Sequence, residues 1–406
     1  MSTSLLYHGF GITGYDYKST TYREGNITFT ISRKEYNLRC PVCKSKKVIK
    51  HGVLPRWFHS LPIGRKATYI KTEIPRVECK ECKANRQADI GFADPRFTYT
   101  KALSRYVLDL ARHMTITDVA KHLNLSWDII KSIQKRYLER KYSSPNLSEL
   151  QRIGIDEIYI GKRGYLTVVM DVLSGAVVFV GDGKGGDALD PFWKRLKRFR
   201  KAKIEAVAID MSPAYIKAVR DNLKDAVVVF DHFHVIKMFN EKLSDFRRQL
   251  HNNTINNGEK KLLKGTRWLL LTAKENLVDE KSKLQRLERA LEINKPLATA
   301  YYMKEDLRQL WNWSGDKAAA EWHLNSWIDM ARCSGISMLE KFAKTLKRHF
   351  DGILAYFDFD CLTSGPIEGT NNKIKTMQRM AYGYRDIAFF KLKIMALHET
   401  KYALVG

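Results

Sequence analysis

The feature that most constrains the fold is a set of five short apolar runs between residues 152 and 231. The first three, "RIGIDEIYIG", "GYLTVVMDV" and "GAVVFVGDG", are joined by glycine-containing turns and predict an antiparallel meander. The last two, "KIEAVAID" and "DAVVVF", alternate with two helical patterns. Because only these two runs look apolar on both sides, they are typical of strands buried on both faces of a sheet.

The order of these elements, βββαβαβα, is that of the RNase H-like fold, in which the first and fourth strands are parallel neighbours at the sheet centre. Asp156 lies on the first strand and Asp210 ends the fourth, so this order brings together two acids that are far apart in sequence. Two adjacent carboxylates cannot both stay ionised without a cation. Hard divalent ions favour carboxylate oxygens and catalyse displacement at phosphate. The pattern therefore predicts that Asp156 and Asp210 bind Mg²⁺ (or Mn²⁺).

The segment "SGPIEGTNNKIK", residues 364–375, supplies a candidate for the third ligand. It predicts a helix with Pro366 in the first turn. Glu368 is either a partner of the helix dipole or a metal ligand that completes a triad with Asp156 and Asp210. We favour the metal-ligand role because Asp156 and Asp210 are already predicted to meet at one metal site. The polar side chains that share its face are predicted to hold a DNA backbone: Asn371 or Asn372, Lys375 and Arg379.

A second polar group follows the fifth strand, in "FDHFHVIK". Asp231 and His234 lie close to the predicted metal site, where they are either further catalytic residues or a hydrogen-bonded pair that opens a helix. We favour Asp210 over Asp231 as the second ligand because the fourth strand is next to the first, and neighbouring strands are about 4.8 Å apart. Glu157 and Asp171 are nearby acids that are weaker candidates for the catalytic site. The position of Asp171 is typical of a turn.

Two Cys-x-x-Cys pairs, "CPVC" and "CKEC", predict a structural Zn²⁺ site formed by Cys40, Cys43, Cys79 and Cys82. The stretch "ATYIKTEIP" between the pairs is typical of a strand and indicates a zinc ribbon with an extended hairpin. His51 and His59 also lie between the pairs, and either is an alternative ligand. The two remaining cysteines, Cys333 and Cys361, are isolated and are predicted to be structural.

Residues 115–140, "TITDVAKHLNLSWDIIKSIQKRYLER", have the pattern of a helix-turn-helix. Thr117 and Asp118 are cap candidates for the first helix, and Asn124 lies in the turn. A preceding stretch, "TKALSRYVLDLARHM", completes a three-helix unit. The alternative is an ordinary helical hairpin, which the adjacent ribbon and the basic charge disfavour. The second helix is predicted to enter a major groove with Ser126, Trp127, Lys131, Ser132 and Lys135.

The chain of 406 residues has 70 Lys and Arg against 44 Asp and Glu, a formal net charge of +26. The electrostatic field of this positive charge favours binding of a polyanion, and double-stranded DNA is the predicted partner. No apolar run approaches the roughly 18 residues of a membrane span, so no membrane partner is expected. The first residues, "MSTSLLYHGF", lack the features of a signal peptide. We therefore expect a cytoplasmic protein whose cysteines are thiols or metal ligands.

The long segment between Asp231 and Glu368 is helical in pattern, although an RNase H-like core needs only a short connection there. Residues 241–360 are therefore predicted to form an all-α insertion. Tryptophan at helical spacing is usually core, and the alternative is that one of them stacks on an unpaired base. The segment holds five of the eight tryptophans: Trp268, Trp311, Trp313, Trp322 and Trp327.

With these motifs in place, the chain resembles the bacterial insertion-sequence transposases of the ISL-three type. The segments "IGIDEIYIG", "AIDMSPAY", "FDHFHVIK" and "EGTNNKIKTMQRMAYGYRD" carry the resemblance, together with the ribbon and the helix-turn-helix. The similarity extends from about Cys40 to about His398. It implies a Mg²⁺-dependent DDE transposase that cleaves DNA at terminal inverted repeats and joins the 3′-OH ends to a target. By matched position it implies Asp156, Asp210 and Glu368 as the triad.

The resemblance also implies partners and one departure. Terminal inverted repeats and target DNA are the implied DNA partners, and pairing two ends implies a homodimer. The implied location is the bacterial cytoplasm, in association with the nucleoid. Ser364-Gly365 stands where many relatives have Asn shortly before the Glu motif, which puts a local contact in doubt but not the metal ligand.

Together these interpretations predict a multidomain α/β protein. An RNase H-like catalytic core is interrupted by an all-α insertion and preceded by a zinc ribbon and a helix-turn-helix. The predicted segments are a zinc-ribbon domain at 1–95, a helix-turn-helix domain at 96–145, the first part of the core at 150–240, the insertion at 241–360 and a final helix region at 361–406. Two alternatives remain open: a DNA-binding regulator with an inactive core, and a structure-specific nuclease of the same fold.

Overall fold

The computed structural model of the protein describes residues 5–34, 38–199, 201–277, 281–312, 316–359, 362–363 and 365–398. Its contacts divide the chain into two compact units, residues 1–140 and 141–406. Three residues discussed above lie outside the described residues: Trp313, Cys361 and Ser364. No helix in the described ranges combines the length and the apolarity that a membrane span requires.

The first unit contains a short helix, α1 (Leu5–His8), and a five-stranded sheet. The strands are β1 (Tyr15–Arg23), β2 (Asn26–Arg33), β3 (Val48–Ile63), β4 (Lys66–Cys79) and β5 (Asn85–Gln87). Their order is β1-β2-β4-β3, and β5 pairs with β4. Only the β2–β4 pair is parallel. The β3–β4 hairpin confirms the extended hairpin predicted between the two cysteine pairs.

Period-two alternation explains the core of this sheet. Ile27, Phe29 and Ile31 of β2 are buried and pack with Phe58 of β3 and Ile70 of β4. In contrast, β1 is exposed or half-buried along its whole length. The cysteine spacing does not predict this β1–β2 hairpin, which extends the sheet on the N-terminal side of the ribbon.

Three helices complete the first unit: α2 (Lys101–Leu110), α3 (Ile116–Leu123) and α4 (Trp127–Tyr142). Asn124 ends α3 in the left-handed conformation, with φ 49°, so the turn lies where the sequence predicts it. Ser126 opens α4, and its Oγ accepts a hydrogen bond from the N–H of Ile129 at 3.3 Å. The helices share a buried apolar cluster: Tyr99, Leu103, Val107, Val119, Ala120, Leu123, Ile130 and Ile133.

The cap of α3 differs from the expectation. Thr115, not Thr117, is the N-cap: its Oγ1 accepts from the N–H of Asp118 at 3.2 Å and donates to the Asp118 carboxylate at 2.6 Å. The reason is spacing, because in a capping box the N-cap residue lies three positions before the residue with which it exchanges hydrogen bonds. Thr117 is only one position before Asp118 and lies inside the helix.

The second unit is built around a five-stranded mixed sheet. The strands are β6 (Arg152–Tyr159), β7 (Tyr165–Asp171), β8 (Ala176–Asp182), β9 (Ala206–Ile209) and β10 (Val227–Phe230). Their order is β10-β9-β6-β7-β8. The first three form the predicted antiparallel meander, and β9 is parallel to both β6 and β10. The predicted neighbourhood of the first and fourth strands is therefore confirmed.

Helices cover this sheet and continue beyond it. Those between the strands are α5 (Asp190–Leu196) and α6 (Pro213–Asn222). The following helices are α7 (His232–Asn253), α8 (Asn257–Lys264), α9 (Arg267–Leu271), α10 (Lys281–Ile293), α11 (Lys295–Gln309), α12 (Lys317–Cys333), α13 (Ser337–Arg348) and α14 (Phe350–Leu354). Two more, α15 (Gly365–Met380) and α16 (Ile387–Met395), end the described chain. The described residues after β10 contain no strand.

Different helices pack on the two faces of the sheet. On one face, Ile153 and Ile155 of β6 belong to a core that includes buried residues of α5, α6 and α7. On the other face, Ile158 of β6 packs in a separate cluster with Ile374 of α15 and Phe390 of α16. Since α15 carries Glu368, the second face is the one on which the predicted triad must assemble.

The helical segment after β10 is continuous with the core. Helix α7 runs unbroken across residue 240, where a boundary was predicted. Trp327 is fully buried and donates from Nε1 to the carbonyl oxygen of Met303 at 2.8 Å, and Trp311 packs partly buried against the same core. Trp268 and Trp322 are instead 70% and 71% exposed. The described tryptophans of this segment are therefore divided between core and surface.

Candidate active site

The parallel pairing of β6 with β9 positions two of the predicted carboxylates. Gly154 of β6 is paired with Ala208 of β9. Asp156 lies two residues beyond this pair on β6, and Asp210 directly follows Ile209, the last residue of β9. Because side chains alternate along a strand, Asp156 projects to the same face as Gly154, and neighbouring strands lie about 4.8 Å apart. The parallel pairing therefore brings two acids from distant parts of the sequence to the same end of neighbouring strands.

The electrostatics of Asp156 reflect this neighbourhood. Burial raises the pKa of the Asp156 carboxyl above its ordinary value, and the negative charges of Glu157 and Asp210 add to the rise. The N–H of Glu157, which donates to Asp156 Oδ1 at 2.8 Å, and the charge of His234 lower the pKa. A cation beside the two aspartates would favour their ionised forms.

The first turns of α15 lie over β6. Ile367 is 1% exposed, and a Cβ built on Gly154 would lie 3.8 Å from its Cδ1. Asn371, one turn later, donates from Nδ2 to Asp156 Oδ2 at 2.7 Å. Glu368 is exposed and lies three residues before Asn371, a spacing that puts Cβ atoms about 5–6 Å apart on a helix. Helix α15 thus brings Glu368 to the part of the sheet that carries Asp156.

The three predicted carboxylates do not form a tight cluster. In the described ranges, only the four cysteines bring three or more Cys, His, Asp or Glu ligand atoms within 4.8 Å of one another. Beside Asp156, however, Asn371 Oδ1 is buried and has no hydrogen-bond partner among the described residues. A buried acceptor without a donor is costly, and an oxygen of this kind suits a hard cation or its water. The donor set therefore fits a divalent ion such as Mg²⁺.

Asn371 is the residue of this site whose role is not evident from the sequence. The segment "TNNK" offers two adjacent asparagines, and the helical period alone does not decide which one faces the sheet. The structure buries Asn371, 6% exposed, and leaves Asn372 exposed. The signal that distinguishes them is the apolar stripe, because Ile367 and Ile374 lie four before and three after Asn371.

Asp231 and His234 occupy different positions. Asp231 is 1% exposed and is the N-cap of α7, accepting from the N–H of Phe233 at 2.9 Å. Its carboxylate lies 3.1 Å from Nδ1 of His232. His234 is half-buried, and its charge lowers the pKa of Asp156. Of these two residues, His234 is the one that affects Asp156 electrostatically.

The two weaker acid candidates have other partners. Asp171 is buried in the β7–β8 turn, where it accepts from Ser174 Oγ at 2.5 Å and from the N–H of Leu173 at 3.2 Å, as its predicted turn position requires. Glu157 projects to the opposite face from Asp156. Burial raises the pKa of Tyr215 to about 12, and Glu157 contributes to that rise through charge and hydrogen bonding.

The four cysteines at the open end of the β3–β4 hairpin have the geometry of a zinc site. The Sγ atoms of Cys40 and Cys82 are 3.6 Å apart, and those of Cys43 and Cys79 are 3.4 Å apart. Zn–S bonds of about 2.3 Å in a tetrahedron put sulfurs about 3.8 Å apart. Four thiols at nearly this spacing fit one structural Zn²⁺.

The two cysteine turns have the same backbone. The carbonyl oxygen of Cys40 accepts from the N–H of Lys44, and that of Cys79 accepts from the N–H of Lys83, both at 3.0 Å. Lys44 and Lys83 are both left-handed, with φ of 62° and 58°. The repeated turn explains why two pairs with the same internal spacing converge on one centre.

Ionisation of the thiols also favours a cation. The backbone N–H of Cys43 is the main cause that lowers the pKa of Cys40 to about 7. The pKa of Cys43 is lowered by the N–H of Ser45 but raised overall, to about 12, by its thiol contact with Cys79 and by burial. Neighbouring thiols thus compete for one negative charge, and a metal ion bound to all four removes that competition.

The two histidines between the cysteine pairs have other neighbours. Nε2 of His51 lies 2.8 Å from the Glu78 carboxylate. The ring of His59 lies 4.8 Å from that of Tyr69, and burial lowers the pKa of His59. Neither histidine belongs to the ligand cluster that the described residues form, so the four-cysteine set is complete without them.

The predicted DNA-contacting side chains lie on two surfaces. On α4, Ser126 and Trp127 are exposed, and Nζ of Lys131 lies 5.3 Å from the Trp127 ring centre. Ser132 and Lys135 are half-buried on the same helix. On α15, the three predicted residues are all exposed: Asn372, Lys375 and Arg379.

Three family models match the chain. The model described as "Transposase" matches residues 153–394, more than half of the sequence. The helix-turn-helix domain of transposase family ISL3 matches residues 88–138. The zinc-finger of transposase IS204/IS1001/IS1096/IS1165 matches residues 37–82.

Curated relatives are similar over most of their length. The transposase for insertion sequence element IS1001 of Bordetella parapertussis is 29% identical over 394 residues, covering 96% of this chain and 95% of the relative. The transposase for insertion sequence element IS1557 of Mycobacterium tuberculosis is also 29% identical over 394 residues, covering 91% of this chain and 87% of the relative. The similarity therefore includes the zinc-ribbon, helix-turn-helix and sheet-containing regions together.

Proposed function

The chain belongs to transposase family ISL3, and we propose that it cuts the ends of an insertion sequence and joins them to target DNA at a centre built on Asp156, Asp210 and Glu368. The observation that carries the proposal is the parallel pairing of β6 with β9, which supports a position for Asp210 near Asp156, together with the hydrogen bond from Asn371 of α15 to Asp156. We interpret the second unit as an RNase H-like core with a helical insertion.

The proposed reaction has two displacements at phosphorus. Water attacks at the element end, the P–O3′ bond breaks, and a 3′-OH is released. That 3′-OH then attacks a phosphorus of the target, whose own 3′ oxygen leaves. Mg²⁺ bound by the three carboxylates would activate the attacking oxygen and stabilise the leaving one.

The other residues of the site hold its geometry. Asn371 fixes one oxygen of Asp156 through its 2.7 Å hydrogen bond. His234 is a candidate contact for the scissile phosphate because its electrostatic effect lowers the pKa of Asp156. Asp231 caps α7 and thereby fixes the turn that carries His234. We assign Asp231 a positioning role rather than a ligand role.

DNA recognition is proposed to be divided between the two units. The ribbon, held by structural Zn²⁺, and helix α4 would read the inverted repeat, while Asn372, Lys375 and Arg379 would hold the backbone of the DNA being cut. Two ends must be paired, so the working form is proposed to be a homodimer. It would act on DNA in the bacterial cytoplasm, at the nucleoid.

The test is incubation of the purified protein with a labelled inverted-repeat duplex, a target duplex and Mg²⁺, followed by a search for joined products. Joined strands are expected. Cleaved ends with no joining would indicate the structure-specific nuclease, and binding with neither product would indicate a DNA-binding regulator.

Residues 1–145 alone are expected to bind the inverted repeat, because this fragment contains the whole first unit and helix α4. With about six phosphate contacts, affinity should fall by about 10³ between 50 and 200 mM salt. Fluorescence anisotropy measures both quantities. The control is a mixed-sequence duplex of equal length, and equal affinity for the two duplexes would show that specificity lies outside this fragment.

A further inference from the structure

A tyrosine occupies the left-handed position that ends α15. Tyr382 has φ 52°. Its N–H donates to the carbonyl oxygen of Arg379 at 3.0 Å, and the N–H of Gly383 donates to that of Gln378 at 2.9 Å. These two bonds define a Schellman motif with Tyr382 at the position that glycine usually takes. For an L residue with a bulky side chain this conformation is strained.

No contact of the Tyr382 side chain among the described residues compensates for this strain. Tyr382 is 99% exposed, so its ring buries no apolar surface. Within the described ranges the side chain has no hydrogen bond, ion pair or ring contact. Glycine would satisfy the same backbone geometry without the steric cost. A strained and fully exposed aromatic residue is a candidate for contact with a partner outside the chain.

The surrounding surface indicates the chemistry of that partner. Glu368, Asn372, Lys375 and Arg379 are exposed at spacings of four, three and four, which places them on one face of α15. Tyr382 follows three residues later. The face thus begins at the proposed catalytic carboxylate, continues through an amide and two cations, and ends at an aromatic ring. Cations followed by an exposed ring match the phosphates and the sugar–base surface of DNA.

Distance along the helix gives the place of contact. From Glu368 to Tyr382 the rise is about 21 Å at 1.5 Å per residue. For a helix that runs along the duplex axis, this length corresponds to about six base pairs, because duplex DNA advances about 3.4 Å per base pair.

We propose that Tyr382 is a DNA-contacting residue whose ring packs into the groove of the duplex about six base pairs from the cleaved phosphate. Lys375 and Arg379 hold the intervening backbone. The DNA contact itself follows from the surface of α15, and only its position relative to the cleaved bond rests on the function proposed above.

Full-length Tyr382→Gly tests the contact because stability and binding should move in different directions. The melting temperature should be unchanged or higher by about 2 °C, since glycine suits a positive φ. Affinity for a mixed-sequence duplex should fall about fivefold to tenfold, because the apolar area that the ring buries in the groove is lost. Tyr382→Phe keeps the ring and should retain the affinity.

Two results would overturn the proposal: an unchanged affinity of Tyr382→Gly, or a clear fall in its melting temperature, which would mean that the ring packs within the fold. A change in oligomeric state with unchanged DNA affinity would point to a second copy of the chain instead. Because the affinity measurement needs no cleavage, loss of binding in Tyr382→Gly would support the contact even if the wild type joined no DNA.

Hydroxyl-radical footprinting tests the position. Wild type should protect sugars about six base pairs from the cleaved phosphate, and Tyr382→Gly should lose that protection alone. Protection at another distance would contradict the placement. If the wild type cleaves and Tyr382→Gly binds and cleaves equally well, the contact is refuted and the reaction stands.

Discussion

Glu368→Gln is expected to leave DNA binding intact and to lower the rate of end cleavage by about 10³-fold or more. Glutamine keeps the volume and the helical propensity of the side chain but removes its negative charge. Glu368 lies one turn before Asn371, whose amide is bonded to Asp156, so the lost charge belongs to the proposed metal centre. Single-turnover cleavage of a labelled inverted-repeat duplex measures the effect.

The matched control is Glu340→Gln. Glu340 also lies in the first turn of a helix, α13, and it is remote in sequence from the site residues. A helix-dipole role would give the two variants the same small effect, a few tenths to about 1 kcal/mol of stability. Wild-type cleavage by Glu368→Gln would show that Glu368 is only an acid at a helix start.

Cys79→Ser should abolish specific binding to the inverted repeat. Cys79 is buried at the end of β4, and its sulfur lies 3.4 Å from that of Cys43, so its loss breaks a four-thiolate set. Zinc binding and folding are coupled in small ribbons, and without metal the ribbon is expected to unfold. Metal content and duplex binding should fall together in the full-length chain, and circular dichroism should show the unfolding in the fragment of residues 1–145.

Cys333→Ser is the control for the full-length chain. Cys333 is exposed at the end of α12 and is outside the four-thiol cluster. This variant should keep its zinc and its affinity for the repeat. Retention of specific binding by Cys79→Ser after zinc loss would mean that the ribbon is not required for recognition.

The sheet could be predicted from the sequence because its signals are local. Each strand is a short apolar run, and the connections that follow β8 and β9 contain helical patterns, so element order alone fixes which strands can be parallel. The adjacency of β6 and β9 follows from that order. The cysteine pairs and the turn at Asn124 are likewise defined by short motifs.

Other features are only weakly marked in the sequence. Whether Asn371 or Asn372 faces Asp156 depends on the rotation of α15, which Ile367 and Ile374 fix by packing on the second unit's sheet. The β1–β2 hairpin is harder to predict because β1 is exposed almost throughout and lacks an apolar alternation.

Backbone conformation is another feature that the sequence does not predict. At the end of α15, Tyr382 and Gly383 both have a positive φ, 52° and 94°. The hydrogen bonds put the C′ position of the helix on Tyr382 and not on the glycine. A shift of one residue in the end of a helix is beyond propensity arguments, yet here it decides which side chain is strained.

Binding of Mg²⁺ to the full-length protein, measured by isothermal titration calorimetry, tests the central claim most directly. The wild type should bind Mg²⁺, and Asp210→Asn should not, because Asp210 directly follows β9, the parallel neighbour of the strand that carries Asp156. Asp231→Asn should still bind, because Asp231 is engaged as the cap of α7. Loss of Mg²⁺ binding in Asp231→Asn with retention in Asp210→Asn would contradict the proposed centre.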